Sequence, residues 1–239
     1  MVFKQLKTFC EKHFGLRIYR NSLPKGFDPF FEIKKLAEYY SIPINNFFDV
    51  GANIGQSTIA FKSIFPNAMV NAFEPVSTTF KKLKGLISYL PNVHLHEMAL
   101  GSTRDQIEMY TGTRSDLFSL SDSTNTGEKQ MIEIRKLDDI VRETGISKIS
   151  VLKIDTEGHD LNVLKGGIEL LKIGMVDFII VETTLFRNNG KFIHINEFTD
   201  FLSPLGYDLM SICNQEGWHI RTPFIFCNAL FQKRRDWYS

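Results

Sequence analysis

The chain has 239 residues, 43% of them hydrophobic and 23% charged, a globular balance with enough length to close a core without metal or disulfide staples. Its 28 basic and 27 acidic side chains give a net charge of +1, which carries no electrostatic footprint for nucleic acid, and the triplet Lys233-Arg234-Arg235 reads as a solvated end. Cys10, Cys213 and Cys227 are the three cysteines; without metal-ligand spacing and odd in number, they point to a reducing, cytoplasmic compartment.

Residues 1–45 read as an N-terminal helical appendage. Val2, Phe3, Leu6, Phe9 and Cys10 recur at helical spacing, and Lys4, Lys7, Glu11 and Lys12 interrupt any signal-like apolar stretch. Residues 21–29 hold two prolines and a glycine and form a loop, followed by a helix over about 30–40. No run approaches the roughly 18–20 apolar residues of a membrane span.

From residue 46 the periodicity changes to that of a Rossmann-like domain running to 239. Strands at 47–50, 69–73 and 93–96 alternate with helices at 56–65 and 77–90, the pattern of a parallel sheet covered on both faces. Residues 106–110 and 130–134 both alternate and can pair as an inserted hairpin at about 106–134. The polar stretch between them exceeds ordinary loop lengths and is either disordered or a binding lid. A helix at 137–143, a strand at 149–154, a helix or two helical turns over 160–173 and a strand at 175–181 follow. A helix at 195–202 and two antiparallel-capable strands at 207–213 and 224–231 complete the chain.

The first strand delivers the chain to Asp49-Val50-Gly51-Ala52-Asn53-Ile54-Gly55. Glycine belongs where a backbone turns tightly or a ligand approaches closely. Dinucleotide turns place glycine at the first, third and sixth positions; here the third is Asn53 and the last glycine comes at the fifth, which argues against NAD or FAD and suits S-adenosylmethionine. Asp49 is placed to approach that cofactor's amino group. Glu74, at the end of the next strand and backed by Pro75, has the position of a ribose-binding acid, and Ala99 and Leu100 fall where an adenine would lie.

With these segments in place, the sequence resembles the FkbM-type methyltransferases, a class I S-adenosylmethionine-dependent family. The stretches that carry the resemblance are Phe48 to Gly55, Ala72-Phe73-Glu74-Pro75, Leu137-Asp138-Asp139, and above all Leu152-Lys153-Ile154-Asp155-Thr156-Glu157-Gly158-His159-Asp160 with Val163-Leu164-Lys165-Gly166. The resemblance implies a seven-stranded, mostly parallel α/β sheet with helices on both faces. It also implies O-methylation of a hydroxyl, commonly on a sugar, glycan or polyketide-derived molecule, and the expected partner is a small-molecule, sugar or glycolipid substrate. Asp160 departs from it, standing where the family more often has glutamate, and the first 45 residues lie outside it, free to supply specificity or a homo-oligomer surface.

Methyl transfer to a hydroxyl needs a positioned acceptor, a base and exclusion of water. Asp155 ends a strand at the carboxyl edge, Glu157, His159 and Asp160 crowd the next turn, and Glu182 ends the neighbouring strand. Two mechanisms use them. Either Asp155 or His159, with Glu182 nearby, takes the acceptor proton, or Asp155, Asp160 and Glu182 hold a divalent metal that acidifies the acceptor. Lys153 reads as a strand residue facing the helix layer with its tip in water. Arg114, Ser115 and Asp116 in the polar loop, together with Glu157, Phe186 and Arg187, are candidate acceptor contacts. A non-catalytic cofactor-binding scaffold would not need Asp49, Glu74 and Asp155 together. A nucleic-acid methyltransferase would need an Asn/Asp-Pro-Pro-aromatic motif, a strand-end cysteine or a basic aromatic tract, and these are missing.

Overall fold

The computed structural model describes residues 25–111, 128–186, 192–216 and 226–235. Helix α1 (Pro29–Tyr40) leads into strand β1 (Asn46–Val50), and α2 (Gln56–Ile64), β2 (Met69–Phe73), α3 (Ser77–Ile87) and β3 (Val93–His96) alternate after it. Three strands follow: β4 (Ala99–Leu100), β5 (Asp105–Thr111) and β6 (Glu128–Arg135). The remainder is α4 (Leu137–Thr144), β7 (Ile149–Ile154), α5 (Asp160–Gly166), α6 (Ile168–Lys172), β8 (Val176–Thr183), α7 (Ile195–Leu202), β9 (Tyr207–Glu216) and β10 (Phe226–Lys233).

Seven strands form one sheet in the order β3-β2-β1-β7-β8-β10-β9. The first five are mutually parallel, and β10 runs antiparallel to both β8 and β9. The order reverses between β1 and β7, so the chain leaves these two strands in opposite directions and opens a crevice at their carboxyl ends. This is the mixed, largely parallel α/β architecture that the strand-helix alternation predicts.

Side-chain alternation splits the core into two layers. Phe47, Val70, Ala72, Val151, Phe178 and Ile180 pack under α1, α2 and α3 with Phe30, Ile33, Phe61, Leu83 and Ile87. Phe48, Val50, Leu152, Ile154, Ile179 and Val181 pack under the later helices with Leu137, Val163, Leu171 and Phe198. Helix α1 is nucleated by Asp28, whose carboxylate accepts from the Phe30 and Phe31 amides, with Pro29 filling the first position. It lays Phe30 edge-on against Phe47 and Phe61, which stack on each other at 4.1 Å.

The 160–173 stretch takes the second of its two readings, dividing at Gly167 into α5 and α6. Two sequence expectations shift. Helix α3 stops at Ile87 rather than 90. The basic triplet is more engaged than a solvated end, although Arg234 is exposed: Lys233 donates to the Leu205 carbonyl and lies 5.0 Å over the Tyr207 ring, Arg234 pairs with Asp208, and Arg235 lies 3.6 Å from Asp177. Asp177 is buried, and a buried carboxylate draws cations to itself. Cys213 and Cys227 are buried free thiols, and Cys10 lies outside the described residues. None of the helices in the described residues is long and apolar enough to cross a membrane.

The inserted segment is a sheet of its own, ordered β4-β6-β5, with β5 and β6 antiparallel from Asp105↔Ile134 to Thr111↔Glu128 and β4 parallel to β6. It meets the main body where α5 presses on the segment after β4: a Cβ on Gly166 would stand 2.0 Å from the Gly101 carbonyl oxygen. That contact explains the glycine of the Leu-x-Gly motif as close packing between two backbones. Gly166→Ala should therefore cost about 1–3 kcal/mol through overpacking and lower Tm by several degrees in a thermal melt. Gly85→Ala, on open space in α3, should leave Tm unchanged or raise it.

Candidate active site

At the sheet's reversal, β1 and β7 place one charge each on the same face, since Asp49 is the register partner of Lys153. Asp49 is wholly buried, and its Oδ2 accepts from the Thr58 hydroxyl at 2.7 Å. Lys153 is buried as well; its Nζ lies 2.9 Å from Asp155 Oδ2 and 4.0 Å from Asp49 Oδ1. Burial alone would weaken this ammonium's hold on its proton, but the charges of Asp155 and Asp49 and the Asp155 hydrogen bond outweigh it and raise its pKa. Burial likewise raises Asp49, against the lowering pull of Lys153 and Thr58. Lys153 faces the helix layer as expected, but its tip is sealed between two carboxylates rather than bathed in water.

Above this pair lies a cavity of about 290 Å³. Its floor is the carboxyl edge of the sheet, with Gly51 and Asn53 from the first turn, Phe73, Glu74 and Pro75 from the second strand, and Asp155, Glu157 and His159 from β7's exit. Its facing wall is apolar, with Met98, Ala99, Leu100, Ile107, Ile132 and Ile134, the last three from the inserted hairpin. Glu74 organises the floor. One carboxylate oxygen accepts from the Asn53 amide at 3.1 Å and the other from the Val76 amide at 3.0 Å. Burial pushes its pKa up to about 7 in spite of those bonds.

The turn after β7 carries the acids. Glu157 (φ +53°) and Gly158 (φ +96°) are both left-handed, a conformation costing a non-glycine residue roughly 1–2 kcal/mol, at the position where strain collects at sites. Asp160 opens α5 and accepts from Thr156 Oγ1 and the Gly158 amide, both at 3.3 Å; burial, then the Asp155 charge, pushes it up to about 6. Glu182 is pushed up to about 8 by burial, with Asp155 and Glu157 adding to the effect and Lys153 opposing it. Burial lowers His159, which keeps the imidazole neutral and proton-accepting at pH 7.

Among the sequence-predicted cofactor residues, Gly51, Asn53, Glu74, Pro75, Ala99 and Leu100 line the cavity, whereas Asp49, Ala52 and Gly55 do not. Asp49 lies beneath it, engaged with Thr58 and Lys153. Ala52 is buried with its amide on the Phe73 carbonyl, and Gly55 packs against Leu83 and Ile87 of α3. Gly51 is required by protein as well as by any ligand, because its φ is +80° and a Cβ would stand 1.9 Å from the Asp155 carbonyl oxygen. Asp155, Glu157 and His159 line the cavity, and Glu182, which does not line it, feels the charges of Asp155 and Glu157. Phe186 is exposed, with its amide on Thr184 Oγ1. Arg114, Ser115, Asp116 and Arg187 lie outside the described residues. Among the described residues no three His, Cys, Asp or Glu side chains are arranged to hold a metal ion; Asp160 is occupied in shaping its own turn.

Sequence reasoning passed over Lys153 and the hairpin wall. A lone lysine and a lone aspartate in adjacent apolar strands, paired in register, was the available signal for the first. The alternation of Gln130, Ile132 and Ile134, which puts all three on one face of β6, was the signal for the second.

A glycine turn at the switch point, an acid at the end of β2, an apolar slot beside it and a seven-stranded sheet whose antiparallel member is β10 define a class I S-adenosylmethionine-dependent methyltransferase. The chain belongs to the FkbM methyltransferase family, whose domain matches residues 49–209. It is 30% identical over 135 residues to the hexuronic acid methyltransferase AglP of Haloferax volcanii, covering 56% of this chain and 54% of that protein. It is 24% identical over 139 residues to the 2-O-methyltransferase NoeI of Sinorhizobium fredii, covering 52% and 57%. Against the AMB antimetabolite synthetase AmbE of Pseudomonas aeruginosa it is 23% identical, covering 67% of this chain and only 9% of that protein. The chain thus spans little more than half of two of these relatives and a small part of the third. In fold it is similar to the METTL16 methyltransferase domain, with a TM-score of 0.51 and 12% identity over 97% of this chain and 79% of that one.

Lys153→Met should leave Asp49 and Asp155 without their shared cation. Breaking a buried pair costs about 3–5 kcal/mol, so denaturant unfolding should show a loss of that order, and an unchanged midpoint would remove the pair from the stability of the fold. Glu74 binds its proton more tightly folded than unfolded, so the ligand-free protein loses stability as pH rises from its ordinary value of 4.5 toward about 7. Glu74→Gln cannot ionise. The Tm of the variant relative to the parent should therefore move in the variant's favour between pH 5 and pH 8; a difference independent of pH would contradict the assignment.

Proposed function

We propose that this chain methylates a hydroxyl group of a sugar or sugar-bearing small molecule. One observation carries the reading. Asp155 reaches the cavity from the end of β7 with its side chain 32% exposed, while Lys153 grips one of its oxygens at 2.9 Å. A carboxylate fixed in this way has the orientation that proton removal from a hydroxyl demands. When bound, S-adenosylmethionine supplies an electrophilic methyl group on a cationic sulfur. The cavity fits it: an apolar wall for a purine, the Glu74 carboxylate for hydroxyl donors, and an acidic end compatible with positive charge.

The chain's own residues hold the acceptor oxygen near the cavity floor, exclude water through the apolar wall and receive the hydroxyl proton. Asp155 is the base in this scheme, and neutral His159, lining the same cavity, is the alternative acceptor of that proton. Relatives named for 2-O-methylation and for hexuronic acid methylation support a carbohydrate class. A nucleic-acid acceptor gains no support from the basic triplet, whose members are engaged with Asp208, Asp177, Leu205 and Tyr207.

Labelled methyl transfer to a panel of sugars, glycolipids, amines and RNA, read by mass spectrometry, should give oxygen-methylated sugar. Transfer to nitrogen or to RNA alone would overturn the proposal. On the acceptor found, Asp155→Asn should lower kcat about 10²–10⁴-fold while the Kd for S-adenosylhomocysteine changes by no more than a few-fold.

A further inference from the structure

The inserted hairpin reaches back to the cofactor floor through one side chain. Gln130, in β6, donates from Nε2 to the Pro75 carbonyl at 3.1 Å and to Ser77 Oγ at 2.7 Å, and its Oε1 accepts from the Ser77 amide at 3.0 Å. Both ends of the amide are therefore used, across 53–55 positions of sequence, on the segment that follows Glu74. Ser77 in turn donates its hydroxyl to Glu97, just before β4. Beneath this network Ile132 and Val76 are both buried and form a small core with Ala99 and Ile107. The Glu74-Pro75-Val76 turn is thus held on one side by its own sheet, with the Glu74 amide on the His96 carbonyl, and on the other by Gln130.

We infer that Gln130 is a positioning residue for the nucleoside part of the cofactor: it clamps the turn that carries Glu74 against the hairpin wall. The wall residues Ile107, Ile132 and Ile134 then meet a purine at a fixed distance from the carboxylate. An amide suits this post. It supplies donors to two oxygens and an acceptor to one N–H without adding charge beside Glu74 and Glu97. Without it the turn retains its strand but not its spacing from the wall, and the cost of restoring that spacing falls on ligand binding. The inference rests on the cavity being the cofactor site.

The test uses the full chain, with calorimetric titration of S-adenosylhomocysteine and of adenosine at a temperature where thermal melts show each variant folded. Gln130→Met keeps the bulk and removes all three hydrogen bonds. It should weaken both ligands by the same factor, about tenfold, because the lost ordering concerns the nucleoside that they share. Gln130→Glu, isosteric but unable to donate, should do the same and serves if the methionine variant does not fold. Ser77→Ala should have a smaller effect, and Gln130→Met combined with it should be no weaker than Gln130→Met alone, as for members of one network. A merely structural role would lower Tm and leave both Kd values in place. Kd values within twofold of the parent's, while Glu74→Ala weakens binding, would overturn the clamp and keep the cavity reading. If Glu74→Ala also bound normally, both would fall.

Discussion

Where the sheet reverses its strand order, Gly51 and Asp155 lie backbone against backbone, with room for no side-chain carbon between them. The Asp155 amide donates to the Val50 carbonyl at 3.0 Å, and the Gly51 and Ala52 amides both donate to the Phe73 carbonyl. Three strand ends are drawn into one junction by these contacts. The charges that the two central strands carry beneath the junction are buried, so they must offset one another. Lys153 does this for Asp49 and Asp155, and the arrangement is specified by register: one charge on each strand, side by side, on the face that α2 covers.

The same junction fixes what stands above it. With Asp155 held from below, the turn that follows bends through two consecutive left-handed residues and returns its acids toward the crevice. In this partly desolvated space Glu74, Asp160 and Glu182 hold protons more tightly than they would in water, and burial is the first reason for each. Mutual repulsion is secondary for Asp160 and Glu182, and for Glu74 two backbone donors work against the shift. The site is therefore acidic in composition but only partly ionised near neutrality, with Lys153 the fixed positive charge in its floor.

Much of the fold was legible because its signals are local. Alternation of apolar strands with helices, the proline-bearing loop ahead of α1, and glycine at Gly51 each act within a few residues. Part of the cavity floor was legible for the same reason, since Gly51, Asn53 and Glu74 follow short strands directly. What escaped depends on register between distant segments. Asp49 looked like a ligand contact from its place before the glycines, but the partner strand carries Lys153 opposite it and buries both. Gly55 looked like part of a ligand cradle and instead admits α3. Residues 130–134 read only as one strand of an inserted hairpin, and the pairing of β6 with β4 and the contacts of Gln130 with Pro75 and Ser77 come from distant segments.

The hairpin wall belongs to a three-stranded sheet that, among the described residues, shares no ladder with the seven-stranded one. Among the described residues its attachments include a small apolar cluster, the Gln130 network, the seam between Gly101 and Gly166, Leu100 in the main core and the Arg135–Glu143 ion pair. A unit joined by side chains and one seam rather than by a ladder can part from the main body at less free energy than global unfolding requires. A ligand that touches both pieces counts as an additional joint, so occupancy and docking are linked by mass action. Slow amide exchange in β5 and β6 would then report how much of the site is filled, while the central strands, sealed on both faces, would exchange only with unfolding of the whole molecule.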